Sequence, residues 1–93
     1  MTTKRLYMMA DFRGDYLDRN MNKDPNHPIR CEICWKPLYD NAKNVIVIDE
    51  DNFQLPNTEE ELNNAKATAP IGPRCYTMLR KYSKIYGFIV KRG

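Results

Sequence analysis

No stretch of this sequence is apolar for anything near the roughly 20 residues that a bilayer crossing needs. The short apolar run at residues 6–10 is followed at once by Asp11 and is too brief for a signal-peptide core. The expected location is therefore cytoplasmic. There is no phosphate-cradling glycine loop, no paired histidine–carboxylate spacing and no serine nucleophile elbow. One histidine in the whole chain leaves little for general acid–base work, so an enzyme is not expected. No internal repeat or low-complexity segment is present. Lys and Arg are missing from residues 49–61, which hold six acids, and Asp and Glu are missing from residues 74–92, which hold six bases.

What remains is 93 residues, 42% of them hydrophobic, with a net charge of +3. That suits a single domain over residues 1–93 with one modest core. A domain this small is marginally stable unless something staples it.

The three cysteines offer a staple. An odd number, two of them in C-x-x-C, reads in a reducing compartment as metal binding or redox chemistry, since disulfides are rare there. With the single histidine they form His27-x3-Cys31-x2-Cys34 and, after forty further residues, Cys75. Zinc favours four tetrahedral sulfur and nitrogen donors, and structural sites are usually closed. Cys31 and Cys34 can grip one ion from a tight turn. Cys75 stands at the start of an expected helix, whose N-terminus favours the thiolate. The expected ligands of one structural Zn2+ are thus His27, Cys31, Cys34 and Cys75. A carboxylate such as Asp40 or Glu32 competes with His27 for the fourth place. Three buried thiols packed as small hydrophobes, or a redox dithiol at Cys31 and Cys34, are the other readings of the same residues.

The hydrophobic pattern predicts a strand at residues 44–49, where β-branched residues run between polar ones. Residues 4–10 are a second candidate strand and 88–90 a third. Residues 11–21 are ambiguous between helix and loop. Thr58 followed by Glu59, Glu60 and Glu61 predicts a capped helix start, running to about residue 67. Residues 69–73 break the chain. Cys75, Met78, Leu79, Tyr82, Ile85 and Tyr86 then follow steps of three and four, which predicts a helix over 74–86, stopped by Gly87. The expected fold is α+β: a small antiparallel sheet from the Leu6, Val45 and Phe88 regions, a C-terminal helix packed on it, and a zinc knuckle at one end.

Residues Cys31-Glu32-Ile33-Cys34-Trp35-Lys36-Pro37-Leu38 and Ile71-Gly72-Pro73-Arg74-Cys75 carry a resemblance. They are similar to a small zinc-knuckle domain common in bacteriophage and actinobacterial proteins, with a C-x-x-C-G-[RK]-x-L turn followed by G-I-G-P-x-C. The resemblance covers these two short motifs. This chain has Trp35 where that family usually has glycine, and residues 45–67 are inserted between the motifs. What the resemblance implies is a phage-type zinc-binding protein, hence a host cytoplasm, and no activity.

Two functions are expected from this point. One is a small regulatory module that binds a host or phage protein, with Trp35 and Phe53 as aromatic anchors. The other is a nucleic-acid-binding module using Arg74, Arg80, Lys81, Lys84, Lys91 and Arg92, with interleaved aromatics for stacking. Each has a plainer counterpart: Trp35 packing over the metal site, Phe53 capping the core, Tyr82 and Tyr86 inside it, and a merely solvated basic face. The segregated charge is also compatible with self-association, acidic stretch against basic helix. No membrane partner is expected.

Overall fold

The β-branched run forms a strand, β1 (Lys43–Val47), with Val45 and Val47 fully buried. It pairs antiparallel with β2 (Ala67–Ile71), so that Val45 faces Ala69, Val47 faces Ala67 and Lys43 faces Ile71. The pairing sets small alanines opposite valines. The computed structural model describes residues 6–12, 20, 23–51 and 53–93. A short 3-10 turn spans Met9–Phe12.

Between the strands lies α1 (Glu59–Asn64). The Thr58 hydroxyl accepts from the Glu61 amide at 3.1 Å, and the Glu61 carboxylate accepts from the Asn57 amide at 2.9 Å. That is the reciprocal capping the sequence predicts, with the carboxylate reaching one residue further back. The helix ends at Asn64, short of residue 67, because Ala67 is already paired in β2.

After β2 comes α2 (Pro73–Tyr86), with Pro73 in its first turn and Gly87 closing it at φ 86°. The left-handed cap lets the Gly87 amide reach the Ser83 carbonyl at 2.9 Å. Cys75 and Leu79 of α2 share one core with Met9, Ile33, Leu38, Val45, Val47, Leu55, Ala69, Ile71 and Phe88. The fold is therefore α+β, a small antiparallel sheet with a C-terminal helix and a cysteine cluster.

The sheet differs in membership from the expectation. Residues 67–71 read as a chain break but form β2, while Met8 makes only an isolated bridge to Gln54. Residues 4 and 5, and most of 11–21, lie outside the described residues. Phe88 is buried without being part of a strand, and the Ile89 amide donates to the Pro56 carbonyl at 2.7 Å. The chain then returns to β1: Ile46 donates to the Lys91 carbonyl at 2.8 Å and Gly93 to the Asn44 carbonyl at 2.9 Å. No helix among the described residues is long and apolar enough to cross a membrane.

Candidate metal centre

The Cys31 turn is a small hairpin. Its arms are joined by Leu38 N–H to Ile29 O, Cys31 N–H to Lys36 O and Trp35 N–H to Cys31 O, each at 2.9 Å, with Arg30 bridged to Pro37. The turn is fixed to β2 by the Glu32 amide, which donates to the Pro70 carbonyl at 3.0 Å. Three residues after Pro70 the chain enters α2 at Pro73, so Cys75 in its first turn is brought against the hairpin.

The three sulfurs of Cys31, Cys34 and Cys75 consequently lie within 4.8 Å of one another. All three side chains are buried and none forms a disulfide. Two thiolates on one tetrahedral zinc stand about 3.8 Å apart, given Zn–S bonds near 2.3 Å, so the spacing fits a shared ion.

Backbone amides point at the same sulfurs. Cys34 N–H donates to Cys31 Sγ at 3.5 Å, Gly72 N–H also reaches Cys31 Sγ, and Lys36 N–H reaches Cys34 Sγ. Amides aimed at sulfur favour the charged thiolate. The Cys31 thiol is pushed down to about 2, first by the hydrogen bonds it receives from the thiols of Cys34 and Cys75. Cys34 and Cys75 are raised, chiefly because each donates its proton to Cys31.

His27 stands elsewhere. Its Nε2 is bonded to the Leu38 carbonyl, its Nδ1 lies 3.6 Å from Asp24 Oδ2, and its ring rests on Tyr39 with centroids 4.5 Å apart. Closeness to Cys31 in sequence made it the expected fourth ligand. The hairpin pairing instead sets it beside Leu38, outside the sulfur group. Among the described residues no histidine or carboxylate, Glu32 and Asp40 included, adds a ligand atom to that group.

Trp35 has a φ of 66°, the left-handed conformation that glycine takes freely. A bulky residue bears the strain of that conformation. The ring is half-buried, with the Arg30 guanidinium 6.0 Å from its centre. Trp35→Ala loses the ring but keeps the strain, whereas Trp35→Gly loses both. Trp35→Gly is expected to be the more stable of the two by about 1 kcal/mol, the reverse of the usual Ala-over-Gly order. Urea unfolding of the two variants measures the difference, and a less stable glycine variant would contradict it.

Sequence reasoning missed Arg30 and Asn20, both buried. Asn20 Nδ2 donates to the Cys34 carbonyl at 2.9 Å. Arg30 donates to the carbonyls of Trp35 at 2.8 Å, Lys23 at 2.6 Å, Asn20 at 3.4 Å and Asp24. Nothing in the sequence pattern marks a buried arginine before a C-x-x-C.

Among the expected partner contacts, Phe53 is half-buried and packs on the core, with φ 49°. Arg74, Arg80, Lys81, Lys84, Lys91 and Arg92 are all exposed. The aromatics meant to accompany them are largely engaged with one another. Tyr82 stacks on Phe12 and Tyr86 (5.4 and 5.8 Å), Tyr86 meets Tyr7 at 5.2 Å, and Phe88 is 1% exposed. No family model, curated protein or solved structure matches the chain.

Proposed function

We propose that this chain is a small, non-enzymatic binding module whose fold is held by one zinc ion on Cys31, Cys34 and Cys75. The observation that carries the metal reading is the meeting of three buried sulfurs from two distant segments. Three sulfur donors suit zinc and other thiophilic ions and do not suit magnesium or calcium. Bound there, the ion supplies a cross-link between the knuckle and α2.

For the partner, we favour a protein, in a phage-type regulatory role in the host cytoplasm. Large apolar side chains reach the surface at Leu6 and Met8 and, on the helix that carries the exposed Arg80, Lys81 and Lys84, at Ile85 and Tyr86. Exposed apolar side chains on a helix that also carries bases suit a protein surface with acidic edges. Trp35 and Phe53 are half-buried, which moves the favoured contacts to this end of α2. Nucleic acid is the second reading, supported by the six exposed bases. It is weakened by the engagement of Tyr82, Tyr86 and Phe88 with other rings, which leaves few faces for bases to stack on.

Elemental analysis of the untagged chain tests the metal reading. One zinc per chain is expected in wild type and also in His27→Ala, since the ring lies outside the sulfur group. No metal in wild type would sink the reading. Loss of metal in His27→Ala alone would restore the histidine as a ligand. A polynucleotide titration across salt concentrations separates the partner classes. Binding that weakens steeply with salt and is lost in an Arg80→Glu, Lys84→Glu double variant would favour nucleic acid over protein.

A further inference from the structure

Arg30 is 8% exposed, yet among the described residues its guanidinium meets no carboxylate. It meets carbonyls instead: those of Lys23 and Asp24 in the loop before the hairpin, that of Trp35 just after Cys34, and that of Asn20. Asn20 in turn holds the Cys34 carbonyl. A buried cation satisfied only by neutral acceptors is costly unless negative charge stands near. Arg30 is the residue directly before Cys31, and its bond to the Trp35 carbonyl and, through Asn20, the bond to the Cys34 carbonyl hold the backbone on the far side of the turn.

We propose that Arg30 is a positioning residue of the metal site, fixing the turn around Cys31 and Cys34 through its carbonyl bonds. The inference rests on the metal reading above. A planar fork with five N–H groups can hold several carbonyls at once, and a lysine ammonium cannot. Arg30→Lys therefore keeps the charge and loses the fork, while Arg30→Met loses both.

The test uses the full chain. Zinc affinity is measured by competition with a chromophoric chelator, and the sulfur-to-cobalt charge-transfer band is recorded with Co(II) in place of zinc. Supporting residues of metal sites typically change affinity by roughly 10–100-fold. Arg30→Lys is expected to weaken zinc binding about tenfold and Arg30→Met about a hundredfold, with a displaced cobalt band in the methionine variant. Wild-type affinity and an unchanged cobalt band in Arg30→Lys and Arg30→Met, even with a lower melting temperature, would reduce Arg30 to a packing residue and overturn the proposal. If Arg30→Met does not fold, Arg30→Lys still decides, because wild-type zinc affinity without the fork overturns the positioning role. A wild-type chain that takes up no zinc would instead overturn the metal reading beneath it.

Discussion

Cys75→Ser is expected to remove the effect of a chelator on folding. On the proposed reading, a zinc ion on Cys31, Cys34 and Cys75 would tie the hairpin to α2 and close the chain between Cys34 and Cys75, with forty residues between them. A cross-link over a loop of that length contributes roughly 4 kcal/mol by chain entropy alone. In a domain of this size each 1 kcal/mol moves the melting temperature by roughly 4–8 °C. Stripping the ion from wild type should thus lower the melting temperature by about 15–30 °C. Serine nearly preserves the volume of cysteine but is a poor zinc ligand. Cys75→Ser should therefore melt close to chelated wild type, with or without added zinc. Circular dichroism melts in zinc and in chelator decide the matter. A Cys75→Ser protein that still gains the full stabilisation from zinc would show that Cys75 is not a ligand.

The second large effect is on pH. Metal binding requires all three sulfurs as thiolates. Cys31 is held well below the ordinary thiol value of 9.0, so it already carries its charge at neutral pH. Cys34 and Cys75 are raised and hold their protons there. Loading one dication near neutral pH should therefore release two protons. The apparent zinc affinity should climb about a hundredfold per pH unit and fall equally fast on acidification. Calorimetry in buffers of different ionisation enthalpy counts the protons. A count near three would mean that Cys31 is also protonated beforehand, and a count near zero would exclude the thiol network. The chelated protein has its own pH dependence, with opposite signs. The lowered Cys31 adds stability that is full above the ordinary thiol range and is lost as pH falls. The raised Cys34 and Cys75 add stability that is full below that range and is lost as pH rises.

The parts of this architecture that were legible in the sequence are those fixed by local chemistry. Val45, Ile46 and Val47 crowd their own backbone into a strand, and Thr58 with Glu61 caps the helix that follows. The three-and-four spacing from Cys75 to Tyr86 fixes α2. The three sulfurs were legible as a group through their number and spacing. What escaped depended on distant neighbours. Ala67-Thr68-Ala69-Pro70-Ile71 contains a proline, which argues against a central strand. It pairs because it needs only one hydrogen-bonded side and because its alanines fit against Val45 and Val47. Phe88 looked like the start of a strand but is a ring buried among Tyr7, Phe12 and the core. His27 counted as a ligand by proximity along the chain, whereas the pairing of Arg30 with Pro37 turns it to Leu38. Arg30 left no trace because a buried cation is recognised by the carbonyls that converge on it, and these come from four residues of the fold.

The return of the chain to β1 also bears on how the protein behaves when concentrated. β1 is bonded to β2 on one side and to residues 91–93 on the other. The outer side of β2 meets Glu32 at Pro70, a residue with no amide hydrogen to offer. A two-stranded ribbon rich in valine, isoleucine and alanine would ordinarily invite strand-by-strand stacking into aggregates. Here the β1 edge is already taken by residues 91–93, so heating or crowding should expose that edge only after those residues have peeled away.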